Sequence, residues 1–314
     1  FTFNSMAVDV ARRQLYDPYA GVNDLQQRVV RAVGDASQRC DEDALRILRA
    51  YRFTRRDSGP LWSMDGELVS AIARHSTRLG MVAIERRWME VRKVLLGPKP
   101  GAVLRSMQDD GVLRHVFERL VVINPALFEA MDDDRLHRLN LHQRLALTLV
   151  EHPSKEAVNQ LKDLRASNEL QRSMAGFHEY LGHLPANDAP SLRVYNHALT
   201  VQAEAHLLTL ACLADLDVHP HTGLQLEKTN IAELEKRWRE MGPRSEPVAC
   251  LVDGHWLMAR TNIGQGMRLG RLKQWLHRRQ IEEEVASIEG MEALLTRTPF
   301  EHGAAEDWPT PTFP

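Results

Sequence analysis

After Asp41, apolar residues recur at the three- and four-residue spacing of an amphipathic helix, and this periodicity constrains the fold more than any other feature. Leu45, Leu48 and Phe53 show this spacing in the first part of the pattern. Clusters of breaking residues interrupt the pattern at residues 57–60, 97–101, 184–190 and 242–247. We therefore predict helices over residues 84–96, 102–110, 134–151, 154–164, 169–181, 191–214, 230–241, 267–284 and 288–296.

Strand patterning is confined to the first 40 residues. Phe1, Phe3 and Val8 have the spacing of extended structure, and Val29-Val30 begins a second β-branched run. Two or three short strands do not form a stable sheet alone. We therefore predict a mainly α fold, an elongated helical body with a small β remnant at its N-terminus.

Composition narrows the function classes. The 40 Lys and Arg residues against 42 Asp and Glu residues give a net charge of −2, so any surface for an anionic partner must be a local cluster. The three cysteines, Cys40, Cys212 and Cys250, are too few and too far apart for a disulfide framework. We expect a reducing, cytoplasmic location. No apolar stretch is long enough to span a bilayer, so we expect no membrane partner.

One segment combines carboxylates with a series of arginines. Glu42 and Asp43 are predicted to open a helix, and Arg46, Arg49 and Arg52 follow at steps of three. A carboxylate beside a guanidinium can match the hydrogen-bonding edge of a base, and further arginines can hold a triphosphate. The alternative is a surface helix whose Asp–Arg pair contributes only a few tenths of a kcal/mol.

This segment resembles the Glu-Asp-x-x-Arg motif of class II CCA-adding tRNA nucleotidyltransferases and bacterial poly(A) polymerases. Other motifs of that family follow in the right order. Residues 1–7, 17–25 and 84–90 resemble its Phe-Thr-x-Asn-Ala, Asp-Pro-Phe-x-Gly-x-x-Asp-Leu and Glu-Arg-Ile-x-x-Glu elements. The resemblance covers most of the chain and is strongest over residues 1–120.

The resemblance implies a nucleotide pocket. Asp43 and Arg46 would pair with the base of the incoming CTP or ATP, and Glu42 would fix the orientation of the arginine. Arg49 and Arg52 would line the same pocket on its phosphate side.

Other motif positions imply supporting roles. Asn4 would lie near the active site, and Asp17 and Gly21 would shape a flexible turn beside it. Glu85 and Arg86 would brace the helices of the neck.

The resemblance also implies RNA binding. The expected partner is the 3′ end and acceptor stem of tRNA, and no DNA partner is expected. A basic cluster on one predicted helix could contact RNA phosphates, although a solvated helix face is the alternative. The cluster consists of Arg268, Arg271, Lys273, Arg278 and Arg279.

In this family an Asp-x-Asp pair holds the Mg²⁺ ions of nucleotidyl transfer, and its motif would lie upstream of Phe1. We therefore predict no catalytic or metal-binding residue in this chain, and no activity of the chain alone. The complete enzyme would transfer CMP and AMP to tRNA. Poly(A) addition, addition of CC or A only, and non-catalytic RNA binding remain alternatives.

The predicted organisation has five parts. Residues 1–40 would be the end of the nucleotidyltransferase head, residues 41–100 the nucleotide- and RNA-binding neck, and residues 101–190 the helical body. Residues 191–298 would continue the body and form the tail, and residues 299–314 would be disordered.

Overall fold

The computed structural model describes residues 1–57, 59–119 and 122–314. The predicted mainly α fold is confirmed, and within these ranges no helix is long and apolar enough to cross a membrane. The helices are α1 (Gly21–Gln27), α2 (Ala36–Glu42), α3 (Leu45–Thr54), α4 (Gly66–His75), α5 (Ile84–Leu95), α6 (Pro100–Asp109), α7 (Pro125–Asp132), α8 (Leu141–Thr148), α9 (Ser154–Asp163), α10 (Asn168–Leu181), α11 (Ala189–Leu199), α12 (Ala203–Asp215), α13 (Lys228–Met241), α14 (Gly254–Arg260), α15 (Met267–Glu282) and α16 (Ile288–Arg297).

The strands are short and form two separate pairs. β1 (Ala7–Asp9) and β2 (Gln14–Tyr16) make an exposed antiparallel hairpin. β3 (Val29–Val30) pairs in parallel with β4 (Ser63–Met64). β4 lies in the segment that the sequence predicts to be helical, because a strand of two residues is too short to leave a periodic signal.

The chain divides into two compact units. The first comprises residues 1–179 and 215–223, and the second residues 180–214 and 224–314. The predicted boundary after residue 190 therefore differs from the division in the structure. The Pro-containing break at 184–190 is a loop of the second unit and does not separate two units.

Two long predicted helices are each divided. Residues 134–151 contain a 3-10 turn and then α8, because Asn140 and Gln143 form a reciprocal capping box that starts a new helix. Residues 191–214 are divided at Thr200, whose φ of +47° interrupts the helical path. The sequence prediction missed α7, which begins after an Asn124 cap with Pro125 at its first position.

The densest carboxylate run of the sequence is residues 132–134, and close packing of α6 on α7 explains its first member. A Cβ on Gly101 would lie 1.9 Å from the carbonyl oxygen of Phe128, so only glycine permits this approach. Asp132, the last residue of α7, accepts hydrogen bonds from the backbone N–H of Gly101 at 2.7 Å and of Ala102 at 2.9 Å. The carboxylate therefore caps the start of α6 and ties the two helices together.

The C-terminal residues 299–314 depart from the expected disorder. Trp308 is 6% exposed and lies with its ring centroid 5.4 Å from that of Trp275 on α15. Phe313 packs against Tyr195, with their ring centroids 5.1 Å apart. The segment is Pro-rich, which hid this anchoring from sequence analysis, but its aromatic side chains Phe300, Trp308 and Phe313 bury apolar surface in the second unit.

Candidate nucleotide-binding site

The residues of the predicted motif lie at the junction of two helices. Asp35 caps α2 with its side chain, and α2 continues to Glu42. Asp43 is extended, with φ of −151° and ψ of 97°, and α3 begins at Leu45. The predicted helix start at Glu42 and Asp43 is therefore wrong. Asp43 instead precedes the helix and accepts a hydrogen bond from the N–H of Leu45 at 3.2 Å, which places its carboxylate at the start of α3.

Asp43 and Arg46 are neighbours through the backbone. The N–H of Arg46 donates to the carbonyl oxygen of Asp43 at 3.0 Å. The Asp43 carboxylate has a long contact of 3.5 Å with Arg86 on α5. Within the described residues, the buried Nε of Arg46 has no hydrogen-bond partner. A buried donor without a partner costs free energy, so a ligand that accepts from Arg46 would gain affinity.

Glu42 does not contact Arg46 in the way that the resemblance implies. Its carboxylate pairs with Arg39 at 2.7 Å, three residues earlier on the same helix. It also accepts from the side chain of Gln38 at 3.2 Å. Since Glu42 ends α2, its helical neighbours are on α2 and not on α3.

Glu90 on α5 is the anchor for the remaining arginines of α3. Its carboxylate lies 3.4 Å from Nε of Arg49, 2.8 Å from Nε of Arg52 and 3.2 Å from Nζ of Lys93. Glu90 is 4% exposed, and its burial raises the pKa of this carboxyl. The hydrogen bonds and charges of Lys93 and Arg52 outweigh burial, so the pKa lies below its ordinary value. Glu90 therefore stays ionised and fixes both guanidinium groups.

The N-terminal segment packs against the end of α3. The ring centroids of Phe3 and Phe53 are 5.5 Å apart, in an edge-to-face arrangement. The hydroxyl of Thr2 donates to the buried carboxylate of Asp24 at 2.7 Å. Asn4 ends a 3-10 turn and is exposed on this segment. The sequence predicted extended structure for Phe1 and Phe3, but the aromatic packing and the Thr2 contact favour the turn.

The turn expected to be flexible is held by a capping contact. Asp17 accepts hydrogen bonds from the N–H of Gly21 at 2.7 Å and of Val22 at 2.9 Å, at the start of α1. A Cβ on Gly21 would lie 2.6 Å from the carbonyl oxygen of Thr2 and 2.9 Å from Cα of Phe3. Glycine therefore lets this turn approach the N-terminal segment.

The two residues expected to brace the neck contact different elements. Glu85 forms an ion pair with Arg165, which lies just before α10. Arg86 contacts Asp43, as described above. Both residues start α5, so each pair connects this helix to another part of the first unit.

In the second unit, the basic residues of α15 largely contact the chain itself. Arg268 donates to the carbonyl oxygen of Phe300 at 2.7 Å, and Arg271 to that of Glu306 at 3.2 Å. Arg278 donates to the carbonyl oxygen of Thr310 at 3.0 Å, and Arg279 pairs with Glu283 at 2.8 Å. Lys273 is half-buried on the same helix. These arginines therefore fasten the C-terminal segment and the end of α15.

Sequence reasoning assigned no role to two buried carboxylates, Glu90 and Asp24. Glu90 ends the motif at residues 84–90, but its arginine partners are 38 and 41 residues away in the chain. Asp24 is 2% exposed and binds Thr2 and Arg31. Local sequence gave no signal for these contacts, because the helical neighbours of both carboxylates are largely polar and the partners come from other elements.

The acidic run at residues 132–134 is engaged by neighbouring groups of the chain. Within residues 1–57, 59–119 and 122–314, no group of three or more His, Cys, Asp or Glu side chains is placed to hold a metal ion. Asp133 caps a 3-10 turn and pairs with Arg135 at 2.8 Å, and Asp134 pairs with Lys99 at 3.2 Å. The acidic run therefore serves helix starts and ion pairs.

Comparison with known sequences identifies related proteins. A family profile described as "Probable RNA and SrmB-binding site of polymerase A" matches residues 63–123. The multifunctional CCA protein of Xanthomonas campestris pv. campestris strain B100 is 42% identical over 123 residues, which cover 38% of this chain and 29% of that protein. The multifunctional CCA protein of Pasteurella multocida is 29% identical over 250 residues, which cover 76% of this chain and 58% of that protein. The chain thus spans less than two thirds of these relatives.

Solved structures share the fold. The Bacillus stearothermophilus CCA-adding enzyme in complex with CTP superposes with a TM-score of 0.72 and 20% identity, covering 95% of this chain and 72% of that one. The Thermotoga maritima CCA-adding enzyme complexed with tRNA gives a TM-score of 0.60 and 17% identity, and the match covers 94% of this chain and 71% of that one. The arrangement of helices described above is therefore shared with both proteins.

Proposed function

We propose that the chain belongs to the family of CCA-adding enzymes and poly(A) polymerases, and that it acts in adding CMP and AMP, from CTP and ATP, to the 3′ end of tRNA. In this reaction the chain supplies nucleotide selection and RNA binding. The reaction belongs in the cytoplasm, with tRNA as the partner. The names of the sequence relatives and the CTP- and tRNA-bound structural neighbours support this proposal.

The observation that carries the proposal is the arrangement at the start of α3. Asp43 presents a carboxylate that accepts hydrogen bonds, and Arg46 has a buried Nε–H without a partner among the described residues. One acceptor and one planar donor group beside each other match the edge of cytosine or adenine, each of which offers an amino donor and a ring-nitrogen acceptor.

Arg49 and Arg52 are proposed to bind the triphosphate. Glu90 contacts each guanidinium at Nε, so the Nη groups can point toward the phosphates while the helix holds the arginines in place. Glu42 supports the junction indirectly, since it pairs with Arg39 on α2. Asn4, Asp17 and Gly21 are proposed to shape the adjoining N-terminal segment.

Mg²⁺ neutralises phosphate charge and activates the attacking hydroxyl in nucleotidyl transfer. The placement of its ligands upstream of Phe1 and the inactivity of the chain alone both stay predictions, which an incorporation assay with labelled CTP and tRNA would test.

Nucleotide binding by the chain tests the proposed selection. We expect tighter binding of CTP and ATP than of UTP and GTP, measured by calorimetry. Asp43→Ala and Arg46→Ala should remove this preference, because each deletes one side of the base contact, and RNA affinity should change less than about twofold.

Asp41→Ala is the matched control for these variants. Asp41 is a nearby exposed carboxylate that pairs with Arg78 at 2.9 Å, away from the start of α3. An unchanged nucleotide preference in both Asp43→Ala and Arg46→Ala would refute the assignment. A preference for ATP alone in the unaltered chain would favour poly(A) addition.

A further inference from the structure

A cavity in the first unit lies where α5 meets the starts of α8 and α10. Its volume is about 500 Å³. Trp88 and Arg92 of α5 line one side, Asn140 before α8 a second, and Arg165 with Ser167 before α10 a third. Trp88 is only 8% exposed, so it forms an apolar wall inside a lining that is otherwise rich in hydrogen-bonding groups.

The charge of this lining favours an anion. Arg92 is exposed, and its guanidinium forms no ion pair or hydrogen bond with the described part of the chain. Arg165 pairs with Glu85, but the two side chains are 67% and 49% exposed, and such surface pairs exchange readily with a competing anion. Glu169 is the only carboxylate among the described lining residues, so the guanidinium groups outnumber it.

The loop that carries Arg165 is held in one conformation. Arg165 adopts φ of +52°, an uncommon value for a residue with a side chain. Behind it, the side chain of Gln171 donates to the carbonyl oxygen of Ala166 at 2.8 Å. The hydroxyl of Ser167 accepts from the N–H of Leu170 at 3.2 Å. A ligand therefore meets a pre-formed lining and pays little ordering cost.

We infer that this cavity binds a backbone phosphate of the RNA substrate, an inference that rests on the function proposed above. Guanidinium groups bind phosphate through paired hydrogen bonds, and the starts of two helices add positive potential at the same place. The indole of Trp88 offers an apolar surface beside the phosphate for the ribose. Such a contact positions double-stranded RNA by its backbone and does not read its sequence.

Binding of an acceptor-stem minihelix RNA by the full chain tests this inference. Fluorescence anisotropy would give Kd over a series of KCl concentrations. The double variant Arg92→Ala, Arg165→Ala should weaken binding about tenfold and lower the slope of log Kd against log salt by about 1, as expected for one lost phosphate contact. Arg105→Ala is the matched control, because Arg105 is an exposed arginine of the same unit that pairs with Glu129 at 3.7 Å.

A second variant separates phosphate binding from a structural role. Glu85→Gln releases Arg165 from its ion pair and should tighten RNA binding about twofold, whereas a purely structural pair would give weaker binding or no change. RNA binding that is unchanged in the double variant would overturn the cavity site and leave the proposed function standing. Absence of salt-dependent RNA binding by the unaltered chain would overturn both the cavity site and the RNA-binding part of the proposed function, and the nucleotide-selection experiment tests the other part separately.

Discussion

Helices α3 and α15 both carry arginines in series, but the two series have different partners. On α3, Arg49 and Arg52 converge on the buried carboxylate of Glu90. On α15, Arg268 and Arg271 donate to backbone carbonyl oxygens of the C-terminal segment. The first series is anchored at Nε by a buried carboxylate, and the second fastens the C-terminal segment.

The difference shows that a basic helix face in a sequence does not identify a binding surface. The partners decide the role, and they lie more than 30 residues away from the arginines in both cases. A buried carboxylate orients arginines for a further ligand, whereas carbonyl oxygens of a folded-back segment consume their donors. The predictions below test this distinction.

The largest expected effect comes from the aromatic anchor beside α15. Trp308→Ala should destabilise the second unit by about 4 kcal/mol, the usual cost of truncating a buried tryptophan. Urea denaturation followed by circular dichroism would measure it. Met267→Ala is the control. Met267 is 65% exposed at the start of α15, so its truncation should lower the free energy of unfolding by less than about 0.5 kcal/mol. Equal effects would mean that residues 299–314 do not pack on α15.

Acid should weaken the contact of α11 with residue 248, in the second unit, before the α3 anchor. The N–H of Val248 donates to Nδ1 of His197, and burial, followed by the charges of His277 and Arg244, lowers the pKa of His197 to about 4. The unfolded chain takes up this proton below about pH 6.5, so stability falls between pH 6.5 and 4, by about 3 kcal/mol for this group. The pKa of Glu90 is also lowered, and its contribution is lost only as the pH falls below about 4.5.

The free energy of unfolding, measured at intervals from pH 7 to 4.5, would show this difference. His197→Gln should lower the slope above pH 5 without abolishing it, because glutamine can accept from Val248 without titrating, whereas His206 still takes up a proton on unfolding. Glu90→Gln should leave the slope in that range unchanged. An unchanged slope in His197→Gln would assign the whole acid sensitivity to other groups, such as the buried His206, whose pKa burial also lowers to about 4.

A smaller loss is expected when the α3 anchor is neutralised. Glu90→Gln should destabilise the first unit by about 2 kcal/mol, below the usual cost of breaking a buried ion pair because Arg49 and Arg52 are 38% and 26% exposed. It should also weaken CTP binding, since the arginines lose their orientation. Glu283→Gln on the α15 side removes a surface pair and should cost less than about 1 kcal/mol. Similar losses in both variants would remove the distinction between the two arginine series.

Much of the fold could be predicted from periodicity. The predicted helices 84–96 and 102–110 correspond to α5 (Ile84–Leu95) and α6 (Pro100–Asp109), with ends differing by one or two residues. The predictions failed where a local contact overrode the pattern. Asn140 starts a new helix by capping it, and the left-handed backbone of Thr200 ends one. Periodicity does not register such contacts, because they depend on single side chains and backbone angles.

The candidate site was only partly accessible to sequence analysis. The motif located Asp43, Arg46, Arg49 and Arg52, since these residues are close together in the chain. Their geometry was not accessible, because the start of α3 depends on where α2 ends and the arginine anchor comes from Glu90 on α5. The resemblance pointed to the candidate residues, and the tertiary contacts then showed which side chains each of them touches.

The smallest expected effect concerns RNA binding by α15. The double variant Arg271→Ala, Arg278→Ala should change the Kd for an acceptor-stem minihelix less than about twofold, because these guanidinium groups already donate to the carbonyl oxygens of Glu306 and Thr310. Its salt slope should match that of the unaltered chain. A tenfold loss with a shallower slope would show that RNA displaces the C-terminal segment from α15. In that case both arginine series would bind ligands, and they would differ in that the C-terminal segment covers the α15 series until RNA displaces it.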